Sequence, residues 1–455
     1  MDSPLTASDL ANQAKHPLFA EKTWLGSPKS WLLDSDQVGR LDRLGEAALS
    51  FYRAIDSLYR KAWSEQSILR NRSLSAPWVA DYFDAGKPDW LVKHARSDAV
   101  QTIYPAVLRP DLLPTAEGLS LTEWDAVPGG IGLTAHLEAS FGFPQEGRMI
   151  ESFGEALADA ARSLGGRQAA MVIVVSEESA TYRPEMEWLA DELRKRSFSI
   201  RVCSPEDLAV RGQQLLFGEE RIQLVYRFWE LFDYVNLPLM KELIPLVESG
   251  NLVVTPPMKH TQEEKLSLAL FHHHRLQAFW EEVLEERELL LLREMIPPTW
   301  ILDPAEIPPG AYLDGPTVQG RALSNWMELG QASKRERKLV LKASGFHETA
   351  WGGRSVRVGD DLSADDWSAS LQSALDDFPS PVSVVQEFRK PKLWEHPVFS
   401  PKEEVTSMRG RLRLSPYYFV VGGKAKRVGA LATFCPADKK IIHGMKDGAL
   451  IPCGP

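Results

Sequence analysis

The sequence has few cysteines, no long apolar run and no excess of basic residues. Its three cysteines, Cys203, Cys435 and Cys453, form no CxxC pair, which argues against a disulfide scaffold or a zinc site and favours a reducing compartment. The apolar stretches are much shorter than the roughly 20 residues of a membrane helix. The formal net charge of −10 gives no electrostatic footprint for nucleic acid. We therefore predict neither a membrane nor a nucleic-acid partner.

Sequence signatures of secretion and of serine hydrolases are also missing. The opening stretch MDSPLTASDLANQAKH is polar and lacks the apolar core of a signal peptide, so we expect a cytoplasmic protein. No GxSxG motif occurs, which gives no support for a Ser-His-Asp hydrolase. The 14 tryptophans do not alternate with basic residues, as a surface for single-stranded nucleic acid would require.

The length and the hydrophobic patterns indicate several structural units. A chain of 455 residues is too long for one simple core. LDRLGEAALSFYRAIDSLYRKAW has apolar residues at helical spacing, whereas QAAMVIVVSEE is typical of a buried parallel strand. We predict an α/β and α+β protein with four segments: an N-terminal helical region (1–95), a strand and glycine-loop segment (96–167), a small α/β domain (168–260) and a final region that contains the glycine-rich loop (261–455).

Patterns within these segments predict individual elements. Residues 97–165 read as two strands around the turn TAEG, followed by a glycine loop that opens a helix. Residues 260–335 read as mainly helical, with a proline-rich connection at 303–316. From residue 337 onward the pattern predicts antiparallel strands and one helix, capped by Ser363.

The stretch KLVLKASGFHETAWGGRSVRVG, residues 338–359, is a candidate phosphate site. Lys342 ends a strand, where its ammonium can reach phosphate oxygens. The loop contains neither GxxxxGK[ST] nor GxGxxG, but its glycines permit close backbone approach. Glu348 fits a Mg²⁺ ion, which takes carboxylates together with substrate phosphates. The plain alternative is a glycine-rich hairpin with a solvated lysine.

A second candidate is RPDLLPTAEGLSLTEWDAVPGG, residues 109–130. Glu123 and Asp125 are two positions apart on a predicted strand, so their side chains point to one face. Two carboxylates on one face suit Mg²⁺. The alternative is an exposed strand edge beside a turn.

Taken together and in this order, these stretches resemble the circularly permuted ATP-grasp ligases. That family includes eukaryotic-type glutathione synthetase and the synthetase half of glutathionylspermidine synthase. The resemblance spans roughly residues 100–455 and also draws on IQLVYRFWELFD, VTPPMKHTQEEKLSLALF and VVQEFRKP. It implies a circularly permuted ATP-grasp fold with a small parallel α/β (pre-ATP-grasp) domain and an N-terminal helical layer.

The resemblance also implies roles for individual residues. Asp125 stands where the family has asparagine, which keeps an oxygen ligand but adds negative charge. Without the family, Arg227 reads as a strand-end arginine in a salt bridge and Lys265 as a lysine on a solvated helix face. The implied Mg²⁺ ligands are Glu123, Asp125 and Glu348; the implied catalytic residues are Arg109 and Arg227; the implied ATP contacts are Lys265, Lys342, Gly345, Gly352, Gly353, Gln386, Glu387 and Phe388.

The implied activity is ADP-forming ligation of a small-molecule carboxylate to an amine through an acyl phosphate, with ATP and Mg²⁺. A catalytically silent ATP-grasp-like protein that binds nucleotide or a partner is the alternative. The sequence leaves open both substrates and the oligomeric state, including a homodimer. It also leaves open the late substrate-binding group, for which the candidates are Arg411, Arg413 and Arg427, and on a surface turn His443 and Lys446.

The run HHHR at residues 272–275 is a weak metal candidate. Successive residues of a helix point about 100° apart, so three adjacent histidines cannot serve one ion. We therefore expect an ordinary helix surface here.

Overall fold

The computed structural model describes residues 5–6, 9, 16–19, 23–143, 148–400, 404–439, 441–442 and 448–454. His443 and Lys446 lie outside these described residues. The chain divides into two compact units, which we describe separately. The first unit contains Met1–Leu49, Ser97–Met258 and Pro391–Pro455, and the second contains Ser50–Arg96 and Lys259–Lys390.

The described residues form a mixed α/β structure. The helices are α1 (Ser35–Trp63), α2 (Trp78–Asp84), α3 (Asp89–Arg96), α4 (Ile131–Ser140), α5 (Arg148–Ala160), α6 (Arg183–Lys195), α7 (Leu239–Glu248), α8 (Leu266–His272), α9 (Gln277–Val283), α10 (Glu286–Met295) and α11 (Ala364–Asp376). The strands are β1 (Trp31–Leu32), β2 (Val107–Pro114), β3 (Leu119–Asp125), β4 (Met171–Val175), β5 (Ile200–Cys203), β6 (Leu208–Arg211), β7 (Gln214–Phe217), β8 (Glu220–Ile222), β9 (Leu224–Phe228), β10 (Val253–Thr255), β11 (Thr299–Leu302), β12 (Thr317–Val318), β13 (Arg321–Ala322), β14 (Leu339–Ala343), β15 (Arg357–Val358), β16 (Ser383–Glu387), β17 (Leu393–Phe399), β18 (Val405–Val421), β19 (Lys424–Pro436) and β20 (Ala449–Gly454).

The larger sheet of the first unit joins strands from distant parts of the sequence. Its strand order is β1-β20-β19-β18-β2-β3, and β17 also pairs with β18. The predicted hairpin at TAEG is confirmed, because β2 and β3 pair antiparallel with Arg109 opposite Asp125 and Asp111 opposite Glu123. Strand β18 pairs with β2, with Leu414 opposite Leu112. The fold therefore brings the late segment 411–415 beside the hairpin.

The four-stranded sheet of the first unit is the predicted parallel α/β layer. Its order is β10-β9-β4-β5, and all of its pairs are parallel. Every residue of β4 is buried, as its unbroken apolar run predicts. Helix α6 connects β4 to β5, and its Leu189 and Leu193 are buried in a core that also contains residues of the larger sheet.

The second unit contains an antiparallel sheet with the order β11-β16-β14-β15. Helix α11 covers it, with Trp367 fully buried and its Nε1 donating to the carbonyl oxygen of Leu329 at 3.1 Å. The predicted cap is confirmed, since the Ser363 hydroxyl accepts a bond from the backbone N–H of Asp366 at 3.0 Å. Strand β16 lies between β11 and β14, so it is the central strand that carries Gln386.

The region 260–335 was predicted as mainly helical, which holds only for its first part. Helices α8, α9 and α10 follow one another up to Met295, after which β11 was missed. The four residues of β11 are too few to show an alternating pattern. No helix among the described residues combines the length and apolarity needed to cross a membrane.

Candidate functional site

Arg109 lies at the centre of a cluster of charged side chains in the first unit. Its Nη1 donates to the carbonyl oxygen of Gly129 at 3.0 Å, and its Nη2 is in close contact with the carboxylate of Asp125. Its Nε lies 3.4 Å from Oδ1 of Asp111. The register of β2 against β3 creates this arrangement, because Arg109 and Asp125 are directly opposite.

Burial and charge act in opposite directions on Arg109. Burial opposes the charged form, but the carboxylates of Asp111 and Asp125 outweigh it and raise the pKa of the guanidinium well above its ordinary value. Arg109 is therefore a permanently charged group whose donors are held in fixed directions. A fixed, desolvated cation of this kind is suited to negative charge that develops during a reaction.

Arg413 is the late arginine that the fold brings to this cluster. Its Nη1 lies 2.9 Å from Oδ2 of Asp111, and the hydroxyl of Ser415 donates to Oδ1 of Asp111 at 2.8 Å. Arg411 instead donates to the carbonyl oxygens of Ala437 and, at 3.1 Å, Lys439. Arg427 pairs with Asp42 at 2.8 Å. Arg413 is thus the candidate of the three that lies beside Asp111 and Arg109.

The hairpin contains three carboxylates of the chemical type that Mg²⁺ binds. Asp111, Glu123 and Asp125 supply these oxygens, and the guanidinium groups of Arg109, in the hairpin, and Arg413, in β18, pair with Asp111 and Asp125. This leaves one excess negative charge, and oxygen ligands are those that Mg²⁺ prefers. Within the hairpin, Asp125 already uses both oxygens, since Oδ1 accepts the N–H of Val127 at 3.0 Å and Oδ2 contacts Arg109.

The glycine turn before α4 encloses a carboxylate that no sequence motif pointed to. Gly130 has a φ of +88°, and its N–H donates to Glu185 Oε2 at 3.1 Å, while the N–H of Gly132 donates to Oε1 at 2.9 Å. Burial raises the pKa of Glu185, and these backbone bonds oppose that rise. The hydroxyl of Tyr417 donates to the carbonyl oxygen of Gly129 at 2.8 Å. The helix N-terminus is thus occupied by a carboxylate of α6.

Arg227 is fully buried at the end of β9. Its Nε donates to the carbonyl oxygen of Pro256 at 2.7 Å, and its Nη1 donates to that of Trp229 at 2.7 Å. Its Nη2 donates to the carbonyl oxygen of Pro257 at 3.2 Å. These bonds fix the segment that follows β10, and the binding of a substrate carboxylate by Arg227 stays a prediction.

In the second unit, the predicted strand lysine is buried in β14. Lys342 Nζ donates to Gln386 Oε1 at 2.9 Å, and Gln386 Nε2 donates to Thr299 Oγ1 at 3.0 Å. The three side chains come from β14, β16 and β11, so they form a row across the sheet. Lys342 and Gln386 were predicted separately as ATP contacts, and the structure joins them directly.

The start of the glycine-rich loop is attached to the beginning of α8. The backbone N–H of Lys265 donates to the carbonyl oxygen of Ser344 at 2.9 Å, and that of Leu266 donates to Ser344 Oγ at 2.8 Å. Lys265 Nζ reaches further into the loop and donates to the carbonyl oxygen of Ala350 at 3.2 Å. Lys265 therefore contacts the loop that the sequence predicts to cover ATP.

A buried ion pair that sequence reasoning missed lies beside this attachment. Lys87 Nζ is 2.6 Å from Oε1 of Glu264, and both side chains are almost fully buried. The hydroxyl of Ser344 donates to the other oxygen of Glu264, and Lys87 also lies over the Phe346 ring, 5.7 Å from its centroid. Only the position of Glu264 next to Lys265 hinted at this pair.

The rest of the loop differs from its start in exposure. Glu348 begins a short 3₁₀ turn and is exposed. Gly352 and Gly353 have φ values of +63° and +73°, which favour glycine. Glu348 belongs to the second unit and Glu123 and Asp125 to the first, so their sharing of one ion stays a prediction.

The predicted adenine contacts lie at the end of the central strand. The N–H of Glu387 donates to the carbonyl oxygen of Pro298 at 2.8 Å, and the N–H of Phe388 donates to that of Lys338 at 2.9 Å. Both donors are used within the sheet, so an adenine ring that bonded to them would have to displace these bonds.

Replacing glycine with alanine should change stability in opposite directions at a crowded position and at an open one. A Cβ at Gly345 would lie 2.5 Å from the carbonyl oxygen of Glu263, so we expect Gly345→Ala to lower the free energy of unfolding by about 1–3 kcal/mol. Gly39 in α1 would place its Cβ 3.5 Å from a flexible arginine side chain, and Gly39→Ala should raise stability by roughly 0.5–1 kcal/mol. Urea unfolding of both variants measures whether the free energy of unfolding falls in Gly345→Ala and rises in Gly39→Ala.

Comparisons with known proteins give a likeness in fold and none in sequence. Neither the protein-family models nor the curated proteins give a match to this chain. Among solved structures, the apo form of a glutathione synthetase-like effector from Globodera pallida is similar over 98% of this chain and 96% of its own, with a TM-score of 0.56 and 12% identity. A candidate gamma-glutamylcysteine synthetase from Methylobacillus flagellatus KT covers 91% and 87%, with 11% identity and a TM-score of 0.43, too low to support an argument. The coarser prediction, a fold related to glutathione synthetase-like proteins, is thereby confirmed.

Proposed function

We propose that this protein is an ATP-dependent carboxylate–amine ligase that acts through an acyl phosphate, similar to glutathione or glutathionylspermidine synthetase. The observation that carries the proposal is the buried Arg109, bracketed by Asp111 and Asp125 and accompanied by Arg413. The whole-chain likeness to the glutathione synthetase-like effector supports it at the level of the fold.

The reaction has two steps. The carboxylate of the acid attacks the γ-phosphorus of ATP, ADP leaves, and an acyl phosphate forms. The amine nitrogen then attacks the acyl carbon and loses a proton, and phosphate leaves. A carboxylate needs this activation because it is a poor acylating agent at neutral pH. Such an enzyme works chiefly by positioning reactants and by stabilising negative charge.

The first unit supplies the arginines that suit the acid and the acyl phosphate. Arg109 holds its guanidinium charged and fixed, which stabilises oxygens that gain negative charge without rearrangement. Arg413 is more accessible than Asp111, its partner, so it can turn part of its donor fork toward a substrate carboxylate. The residues proposed to bind Mg²⁺ are Glu123 and Asp125 in the first unit and, separately, Glu348 in the second; the ion neutralises phosphate charge when bound.

The second unit supplies the residues proposed to contact ATP. Lys342 presents one ammonium from the middle of a rigid sheet, and Lys265 presents another from the start of α8. The attachment of the loop through Ser344 fixes its first residues, while Gly352 and Gly353 allow the rest to change direction. A loop anchored at its start is suited to cover ATP and to exclude water from the acyl phosphate.

A second candidate is a catalytically silent protein that binds nucleotide or a partner. It is favoured by Asp125, which replaces the family's asparagine and whose two oxygens accept bonds from Val127 and Arg109. Because both of its oxygens are already engaged, Asp125 is less available to a metal ion than a carboxylate with a free oxygen.

Phosphate release separates the two candidates. The full chain is incubated with ATP, Mg²⁺ and pools of amino acids, peptides and polyamines, and phosphate is measured. Release that needs both an acid and an amine supports the ligase, and hydroxylamine in place of the amine should trap the acyl phosphate as a hydroxamate. ATP binding without turnover in any pool supports the silent protein. Absence of ATP binding contradicts the ligase and the nucleotide-binding form of the second candidate.

Arg413→Met tests the substrate role of the late arginine. Loss of a charged hydrogen-bond donor should raise the KM for the acid by about tenfold or more, since such a bond contributes about 1.5–3 kcal/mol. The matched control is Arg427→Met, which breaks a pair with Asp42 outside the cluster. Equal KM values for both variants would remove Arg413 from the site.

A further inference from the structure

The three consecutive histidines at the end of α8 do not all lie on one helix, although the sequence predicts that they do. Helix α8 ends at His272, and His273 has an extended backbone with φ −61° and ψ 123°. The expectation that one helix continues through the run is therefore wrong: His273 is extended, and His274 begins a separate 3₁₀ turn, His274–Leu276. Because the chain leaves the helix, their rings do not diverge by 100° but stack, with centroids 4.9 Å apart and planes 18° apart.

A carboxylate from a distant segment completes a group of three. Asp314 Oδ2 accepts the backbone N–H of His274 at 3.1 Å and lies 3.0 Å from Nδ1 of the same residue. One ligand atom from each of His273, His274 and Asp314 lies within 4.8 Å of the others. The two bonds to His274 hold the carboxylate beside the ring pair.

Packing fixes the position of the His273 ring. The Trp78 ring lies against it, with the two ring centroids 4.5 Å apart. His273 Nδ1 accepts a long bond of 3.3 Å from the N–H of Arg275. An ion at Nε2 would move the ring proton to Nδ1 and give up this bond.

We propose that His273, His274 and Asp314 bind one divalent transition-metal ion of the Zn²⁺, Ni²⁺ or Cu²⁺ class. Two imidazoles, which are borderline ligands, together with one carboxylate form a set that these ions take, whereas Mg²⁺ prefers oxygen ligands alone. His274 is exposed, with 69% of its side chain accessible, so its ring is able to turn until both imidazole lone pairs converge. Water completes the coordination on the solvent side.

The site would link the end of α8 to the segment around Asp314. That segment follows β11 and has no helix or strand between residues 303 and 316, so a metal cross-link would replace missing backbone pairing. This role is independent of the proposed ligase, because none of the three residues belongs to the ATP or substrate contacts assigned above.

The experiment is a titration of untagged, chelator-treated full-length protein with Zn²⁺ by isothermal calorimetry. We expect one ion per chain, no competition from excess Mg²⁺, and a loss of about tenfold or more in affinity for His274→Gln and Asp314→Asn. His272→Gln is the matched control, since the His272 ring bonds to the carbonyl oxygen of Ile296 at 2.9 Å and is not one of the three proposed ligands. It should bind Zn²⁺ like the unaltered chain.

Three results would overturn the proposal: no Zn²⁺ bound by the unaltered chain, unchanged affinity in His274→Gln, or an equal loss in His272→Gln. Should the variants fail to fold, the unaltered protein loaded with Cu²⁺ provides the test. Its electron paramagnetic resonance spectrum must show coupling of the copper to two imidazole nitrogens, and coupling to one or none contradicts the site.

Discussion

Arg109→Met is expected to lower the free energy of unfolding by about 3–5 kcal/mol. Methionine removes the cation that Asp111 and Asp125 share, and Asp111 is almost fully buried with 2% of its side chain exposed. Asp111 keeps Arg413 as a partner, whereas Asp125 loses the guanidinium that it contacts. The two carboxylates then share one cation while the cost of their desolvation remains. Urea unfolding at neutral pH measures the change.

The same variant should lose ligase activity by about 10²–10³-fold, the usual effect of removing one fixed donor to a developing negative charge. Activity is compared at a temperature and urea concentration where the variant remains folded by circular dichroism. A folded variant that releases phosphate at the normal rate would remove Arg109 from the mechanism, while its loss of stability would still stand.

Arg427→Met is the matched control for stability. Its pair with Asp42 joins a mostly buried arginine to a carboxylate that is 55% exposed, and such pairs contribute about 0–1 kcal/mol. If Arg109→Met and Arg427→Met lower the free energy of unfolding equally, the buried ion pairs of Arg109 contribute no more to stability than the exposed pair of Arg427.

Local patterns predicted the parts of the site that depend on neighbours in sequence. The hairpin that sets Arg109 opposite Asp125 follows from two short strands around TAEG. The parallel strand β4 follows from its apolar run, and the position of Lys342 at the end of an apolar stretch follows from the same reasoning. Each of these requires only periodicity and turn residues within a short window.

Contacts between distant residues could not be predicted in this way. Glu185 reaches the glycine turn because α6 packs on α4, and Lys87 reaches Glu264 only through folding of the second unit. The choice of Arg413 over Arg411 depends on the register of β18 against β2 and on the surroundings of each side chain across the sheet. Sequence spacing alone contains no information about these pairings.

The histidine run shows how one helix boundary changes a functional interpretation. The argument that adjacent histidines diverge was correct for a helix, and it failed because α8 ends at His272. Helix ends are the feature that a sequence pattern defines least sharply. Had α8 continued past His272, the three histidines would point in different directions on its surface. Because α8 ends there, His273 and His274 lie close together beside Asp314.

The buried carboxyl group of Glu138 is expected to make the stability of the folded protein depend on pH. It lies in α4, only 6% exposed, and burial raises its pKa to about 8, against which Arg427 acts weakly. A Cβ at Gly429 would lie 2.6 Å from Glu138 Oε1, so the carboxyl is enclosed against β19. The folded chain therefore keeps the proton over a range of pH in which the unfolded chain, with an ordinary pKa near 4.5, releases it.

The direction in which stability changes with pH depends on how many protons Glu138 binds in the folded and unfolded states. Below pH 4.5 both states are protonated, and between pH 4.5 and 8 the folded state holds more protons, so stability falls as the pH rises. Because a tenfold difference in proton affinity corresponds to about 1.4 kcal/mol, the loss is about 3 kcal/mol at pH 7 and about 5 kcal/mol at pH 9. Glu138→Gln removes this loss, so its advantage over the unaltered chain should grow between pH 5 and pH 9.

Urea midpoints at pH 5, 7 and 9 test this difference, because other buried carboxyls contribute equally to both chains and cancel. Glu242→Gln, on the exposed side of α7, is the matched control and should show no advantage that grows with pH. At pH 5 Glu138→Gln should differ little from the unaltered chain, since both side chains are then neutral in the folded state. An advantage that stays constant from pH 5 to pH 9 would mean that Glu138 is already ionised in the folded protein, which requires a cationic partner closer than Arg427.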